Sequence, residues 1–189
     1  MIKAIIFDCF GVLYPHSSGN FFDKYKDLFD SNPGIIDDLN LQIDLGKINR
    51  TQFFEGLEKV TKIPALSIKD EFDSEQHSPD LKLVDIIKKL KTKYKIALLS
   101  NAGEEEIGII YRDKVAALFE VKTISYDVGF VKPSEEIYLE CLKNLGVEPN
   151  DALFVDDSMI NIEAARKLGI QTLVYPDFGV IPQDLQQLV

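Results

Sequence analysis

Short apolar runs constrain the fold of this chain more than any other feature of its sequence. They cover residues 4–7, 96–99, 121–124, 152–155 and 171–175. Runs of this length favour buried strands, and helical periodicity fills the segments between the later runs. We therefore predict β-α-β units that form a parallel sheet buried on both faces.

Capping residues indicate where helices begin and end in the second half of the chain. An apolar stripe at helical spacing follows Asp80, which can act as an N-cap. Two further helices are bracketed by a serine at the start and a glycine just past the end, namely Ser134 with Gly146 and Ser158 with Gly169.

The segment between the first two strands is much longer than one crossover helix requires. Asn49 is a candidate N-cap with Gln52 at the third helical position, so part of the segment is predicted to be helical. We expect residues 1–14 and 79–189 to form an α/β core, and residues 15–78 to form a helical cap inserted after the first strand. Ligands of such sheets bind outside the carboxyl ends of the strands.

Charge and composition narrow the function classes. The formal net charge of −10 argues against a nucleic-acid partner, because phosphate backbones are bound through dense Lys and Arg surfaces. Two cysteines outside any CxxC pair and two histidines offer no zinc constellation. The first apolar run stops at Asp8, which fits neither a signal peptide nor a membrane span. We expect a cytoplasmic protein without a membrane partner, either a monomer or a homodimer.

Polar groups follow four of the apolar runs. They are Asp8, the pair Ser100 and Asn101, Lys132, and the pair Asp156 and Asp157. Because the carboxyl ends of parallel strands lie at one edge of a sheet, we expect these groups to converge there. A single aspartate after an apolar run is usually a turn or cap residue, so the prediction rests on the order of all four.

Together these groups suit phosphoryl transfer through a carboxylate. Asp8 can attack phosphorus to form an aspartyl phosphate, which divides one difficult displacement into two. The approach of a carboxylate to a phosphate dianion requires positive charge, which Lys132 and a Mg²⁺ ion held by Asp8 and Asp156 would supply. Ser100 and Asn101 would donate hydrogen bonds to the phosphoryl oxygens. We place Asp157 in the hydrated shell around the ion.

Four segments resemble the motifs of the haloacid dehalogenase-like hydrolases. They are residues 6–13 with Asp8, residues 98–101 with Ser100, residues 129–133 with Lys132, and residues 154–158 with Asp156. Residues 156–169 are similar to the branch with sugar-phosphate phosphatases and the phosphatase domain of epoxide hydrolases. The resemblance implies a Rossmann-like core, a four-helix cap, Mg²⁺ and hydrolysis of a small phosphorylated metabolite.

Phe10 departs from the pattern of that family. Phosphatases of the family usually carry a second aspartate two residues after the nucleophile, where it acts as general acid and base. The same residue gives the Mg²⁺ ion its backbone carbonyl, which Phe10 can still provide. The resemblance thus implies a metal site with Asp8, Phe10 and Asp156 as ligands, but without the usual acid.

Two alternatives to a phosphatase stay open. A 2-haloacid dehalogenase also lacks the second aspartate, but needs no metal and lacks the acidic pair Asp156 and Asp157. A catalytically weak or inactive phosphate-binding protein is suggested by Phe10 alone. We expect the cap and the loop of residues 14–16 to determine specificity, and His16 is the first candidate if another group serves as acid.

Overall fold

The computed structural model describes residues 1–16, 19–74, 78–112 and 115–189. The sheet in this part of the chain has five parallel strands in the order β3-β2-β1-β4-β5. The strands are β1 (Ala4–Phe7), β2 (Lys95–Ser100), β3 (Val121–Ile124), β4 (Ala152–Asp156) and β5 (Gln171–Val174). The predicted α/β fold with a parallel sheet is therefore confirmed.

Helices cover both faces of the sheet, so alternate residues of each strand enter different cores. In β1, Ile5 and Phe7 pack in one hydrophobic cluster, whereas Ala4 and Ile6 pack in another. This alternation follows from the twofold side-chain period of a strand. The helices of the core are α6 (Leu81–Leu90), α7 (Glu104–Arg112), α8 (Ser125–Val128), α9 (Glu135–Leu145), α10 (Met159–Lys167) and α11 (Gln183–Gln187).

A helical cap lies in the chain between β1 and α6. Its described residues form α1 (Gly19–Lys24), α2 (Lys26–Asp30), α3 (Pro33–Asp44), α4 (Arg50–Thr61) and α5 (Ala65–Ser74). The resemblance implied four helices, and the structure has a short pair, α1 and α2, separated at Tyr25. The cap has its own cluster of buried apolar residues, which includes Phe21 and Leu57. The exact division at residues 14/15 and 78/79 stays a prediction, and residues 17–18 and 75–77 of that range lie outside the described residues.

Two of the predicted helix caps are confirmed in full. Asn49 accepts a hydrogen bond from the Gln52 N–H at 3.0 Å, and the Gln52 side chain accepts one from the Asn49 N–H at 2.9 Å. The Asp80 carboxylate accepts from the first turn of α6. Each bond satisfies a backbone donor that the helix leaves without a partner.

The two predicted serine N-caps lie at the expected positions but do not make the expected hydrogen bonds. Ser134 and Ser158 precede α9 and α10, yet neither side chain makes a capping hydrogen bond. At α9, Glu135 in the first turn supplies the negative charge that the helix dipole favours. At α10, the N–H of Ser158, which precedes the helix, donates to the carboxylate of Asp156 at 2.8 Å.

No helix within the described residues is both long enough and apolar enough to cross a lipid bilayer.

Candidate active site

A cavity of about 370 Å³ lies between the carboxyl edge of the sheet and the cap. Asp8 reaches it from the end of β1, Asn101 from the end of β2, and Lys132 from the loop after α8. Asp157 also lines the cavity, just beyond β4. The parallel sheet thus brings groups from four separate motifs to one place, as predicted.

Lys132 joins two of the predicted carboxylates. Its Nζ lies 2.6 Å from Asp8 Oδ1 and 2.8 Å from Asp156 Oδ2, and all three side chains are buried. Burial opposes the ammonium charge, but the two carboxylates outweigh this effect and raise the pKa of Lys132. Lys132 therefore stays charged in the interior of the protein.

Asp8 is held through one of its two oxygens. The Cys9 N–H donates to Oδ1 at 2.6 Å, and Lys132 contacts the same oxygen. The hydrogen bond and the ion pair to Asp8 among the described residues both involve Oδ1. Burial raises the pKa of the Asp8 carboxyl, and the charge of Lys132 opposes this rise.

Asp156 is fixed by the start of α10. The Asn161 side chain donates to both carboxylate oxygens at 3.1 Å, and the Ser158 N–H donates to Oδ1. The Tyr138 hydroxyl in turn donates to the Asn161 carbonyl at 3.1 Å. Asp156 is fully buried, and these donors compensate for the water that it has lost.

The side chain of Asn101 binds the backbone of Lys132, which the sequence did not reveal. Its side-chain amide donates to the Lys132 carbonyl at 2.9 Å and accepts from the Lys132 N–H at 2.7 Å. Both the amino group and the carbonyl of the Asn101 side chain therefore have partners on the backbone of Lys132. Ser100 is almost fully buried and donates to the Asn101 carbonyl at 3.3 Å. The phosphate-binding roles of Ser100, Asn101 and Lys132 stay predictions.

The carboxylates are close enough to share a cation. One oxygen from each of Asp8, Asp156 and Asp157 lies within 4.8 Å of the other two. Such a group of oxygen ligands suits Mg²⁺, which binds to a few carboxylates and keeps several waters. The donor set therefore fits the predicted metal, and it would admit Asp157 as a direct ligand as well as through water. The individual metal roles, including that of the Phe10 carbonyl, stay predictions.

Gly11 allows the first loop to approach this acidic group. Its φ is +91°, and a Cβ built there would lie 2.4 Å from Asp157 Oδ2 and 2.8 Å from the His16 ring. Any larger residue would thus be strained and would collide with the carboxylate. The loop can then bring His16 to Asp157.

His16 and Asp157 form a hydrogen-bonded pair at 2.9 Å between His16 Nε2 and Asp157 Oδ2. The hydrogen bond to Asp157 raises the pKa of His16, against the effect of burial. Burial would raise the pKa of Asp157, but His16 reverses this and lowers it. From its sequence, His16 is expected only as a reserve acid; its pairing with Asp157, which is far away in the chain, arises from the fold.

Phe10 lines the cavity beside the candidate nucleophile. Its ring packs against Tyr14 with 6.2 Å between the ring centroids. The phenyl ring of Phe10 can neither donate nor accept a proton.

The cap contributes an aromatic wall and acidic groups to the cavity. Phe22, Phe53, Phe54 and Phe72 form the wall. Asp44 and Glu106, at the junction of cap and core, also line the cavity. No motif pointed to these two carboxylates, since they become neighbours only in the folded chain.

The match to a protein family decides the interpretation of this site. The family model described as haloacid dehalogenase-like hydrolase matches residues 2–169. The chain belongs to the haloacid dehalogenase-like hydrolases. Its relatives include proteins named as phosphatases, and the chain is a hydrolase of this family.

Curated relatives match parts of the chain. Flavin mononucleotide hydrolase 1 of Arabidopsis thaliana is 35% identical over 40% of this chain and 31% of its own length. D-ribitol-5-phosphate phosphatase of Bacteroides thetaiotaomicron is 32% identical over 49% of this chain and 48% of its own length. The chain thus spans less than half the length of either relative in these matches.

A solved structure covers almost the whole chain. It is a family enzyme from Bacteroides thetaiotaomicron in complex with magnesium and inorganic phosphate. It is 27% identical, has a TM-score of 0.78, and the match covers 98% of this chain and 99% of that one.

Proposed function

We propose that this protein is a Mg²⁺-dependent phosphatase that hydrolyses a small phosphate monoester through an aspartyl phosphate on Asp8. The observation that carries the proposal is the buried cluster in which Lys132 joins Asp8 and Asp156 at the carboxyl edge of the sheet. The related enzyme that holds magnesium and phosphate supports the same chemistry.

Asp8 would attack through Oδ2, because Cys9 and Lys132 hold Oδ1. The new Oδ2–P bond forms as the ester P–O bond breaks, and the departing alkoxide takes a proton from water. A second water then attacks phosphorus, breaks the Oδ2–P bond, and releases inorganic phosphate and the Asp8 carboxylate. Lys132 would neutralise charge on the phosphoryl oxygens throughout.

Asp8, Asp156 and the Phe10 carbonyl would hold Mg²⁺, with Asp157 bound through water. When bound, the ion would supply further positive charge beside the transferring group. Asn161 and Ser158 would keep Asp156 in the ligand position, since both donate to its carboxylate.

Phe10 would make the enzyme sensitive to its leaving group. A positioned acid contributes roughly 10²- to 10⁴-fold to such steps, and Phe10 cannot supply it. Aryl phosphates need no protonation of the leaving group, whereas alkyl phosphates do. We therefore expect faster turnover of aryl esters, and a larger gain on alkyl than on aryl esters in a Phe10→Asp variant.

A substrate panel tests the proposal. Release of phosphate from p-nitrophenyl phosphate, alkyl phosphates and nucleotides is measured with Mg²⁺ and with a chelator, beside chloride release from 2-chloropropionate. Phosphate release that needs Mg²⁺ and disappears in Asp8→Asn is the expected result. Chloride release without metal would establish the dehalogenase alternative. That reaction has no need of the three clustered carboxylates in this site. Binding of the phosphate esters without any turnover would establish the alternative of an inactive phosphate-binding protein.

A further inference from the structure

The cap side of the cavity carries two carboxylates without a partner. No described residue makes a hydrogen bond or an ion pair with the side chain of Asp44 or Glu106, although both line the cavity. Asp44 is the last residue of α3, where the helix dipole favours a cation over an anion. A carboxylate in this position therefore weakens the helix, which is expected where the residue serves a ligand.

The cations of the cavity wall are engaged by other carboxylates. Lys132 contacts Asp8 and Asp156. Arg50 pairs with Asp73 at 2.6 Å and lies over the Phe54 ring. Both cations therefore already have other carboxylate partners.

Asp44 is fixed relative to the candidate phosphate site. The Ser125 hydroxyl donates to the Asp44 carbonyl at 2.7 Å and accepts from the Ala102 N–H at 3.0 Å. Ala102 follows Asn101, which holds the backbone of Lys132. The cap residue is thus tied to the loop that would bind phosphate, so both ends of one ligand can be recognised together.

Glu106 meets the cap at the same junction. A Cβ at Gly103 would lie 3.1 Å from Glu106 Oε2 and 3.3 Å from Ile43 Cγ1. Ile43 precedes Asp44, so the Glu106 carboxylate, the Gly103 loop and the end of α3 lie together. Burial, and then the charge of Glu106, raise the pKa of Asp44 to about 7, although the charge of Lys132 lowers it.

We propose that Asp44 and Glu106 bind an ammonium group on the leaving group, and that the substrates are aminoalkyl phosphate monoesters. This inference rests on the proposed phosphatase function. A hydroxyl group could donate to the same oxygens, but it would leave the repulsion between the carboxylates uncompensated. An ammonium group donates three hydrogen bonds and supplies positive charge, and the phenylalanine wall beside it favours a cation.

Matched pairs of esters test the inference. We would measure kcat/KM for aminoalkyl and hydroxyalkyl phosphates with chains of two, three and four carbons, with p-nitrophenyl phosphate as a reference. At least one amine should exceed its matched alcohol by about tenfold or more, equivalent to about 1.4 kcal/mol. Asp44→Asn and Glu106→Gln should each reduce this ratio severalfold.

Exposed carboxylates provide the controls. Asp37→Asn, also on α3, and Glu136→Gln, in the first turn of α9, make the same chemical changes on the surface and should leave the ratio unaltered. A ratio near one in the wild type, or a ratio that survives both cavity variants, would overturn the inference.

Binding separates this inference from the proposed function. Calorimetric titration of the Asp8→Asn variant with both esters reports recognition without turnover, and the amine should bind more tightly. If p-nitrophenyl and hydroxyalkyl phosphates are hydrolysed but amines gain nothing in rate or affinity, the inference alone fails. If no ester is hydrolysed while the amine still binds more tightly, the phosphatase function fails and the ammonium site stands.

Discussion

Replacing Asp44 by asparagine should stabilise the protein at alkaline pH. The raised pKa of Asp44 means that the folded protein favours the neutral acid, because burial and Glu106 oppose the charge. Asparagine is close to the same shape and carries no charge. It would also remove a negative charge from the last residue of α3, where the helix dipole disfavours it.

The size of the effect follows from the linkage between protonation and folding. Below the ordinary pKa of 3.8 the acid is neutral in both states and folding is not penalised. The penalty grows as pH rises toward the folded pKa of about 7, and is complete above it. A pKa difference of one corresponds to about 1.4 kcal/mol, so the charge of Asp44 lowers the free energy of unfolding by roughly 4 kcal/mol at most. Relaxation of the protein and entry of water should reduce this loss to about 1–2 kcal/mol.

Urea unfolding at about pH 5.5 and pH 8, with EDTA present, measures the difference in free energy of unfolding between Asp44→Asn and the wild type. Asp44→Asn should be more stable than the wild type at both values, with the larger gain at pH 8. A gain of about 1–2 kcal/mol corresponds to a rise in melting temperature of about 2–8 °C in a domain of this size. Asp37→Asn on the same helix should show little change at either pH. Equal gains at both values, or a loss of stability at pH 8, would refute a pKa raised by burial.

Three further predictions concern the site itself. Asp8→Asn should abolish turnover by at least about 10³-fold in a phosphate-release assay while circular dichroism shows an intact fold, and retention of most of the rate would rule out the covalent step. Asp156→Asn should weaken Mg²⁺ binding by about 10- to 100-fold and more than Asp157→Asn does, as measured by calorimetry. Gly11→Ala should destabilise the protein more than Gly129→Ala in urea, because both glycines have a positive φ but only Gly11 has a carboxylate within contact distance of the new Cβ; equal losses would show that strain alone matters.

The sheet and its active edge could be predicted because strong local signals determine them. Four apolar residues before Asp8 and four before Asp156 are enough to identify buried strands, and parallel strands must end at one edge. The bounds differ by one residue at the ends of β2, β4 and β5, where hydrogen bonding extends or ends the strand. Convergence of the four motifs follows from topology without knowledge of any side-chain conformation.

Features that depend on side-chain competition could not be predicted. Ser158 has the sequence signature of an N-cap, but its side chain makes no capping hydrogen bond, and its backbone N–H donates to the carboxylate of Asp156. Asn101 has the position of a phosphate ligand, but its amide matches the backbone of Lys132, from a loop 31 residues away. The proximity of Asp44 to Glu106 depends on how the cap sits on the core, which no local pattern encodes.

The charge pattern around Lys132 would let one residue serve both the structure and the proposed catalysis. An ammonium group has three donors. Two of them point to Asp8 and Asp156, at 2.6 and 2.8 Å, and this pairing makes the buried carboxylates tolerable in the folded protein. In the proposed reaction the third donor would be left for a phosphoryl oxygen, and the two hydrogen bonds with Asn101 fix the backbone from which the side chain extends. Since a phosphate dianion would meet a lysine already fixed in place, little side-chain entropy remains to be lost when it binds.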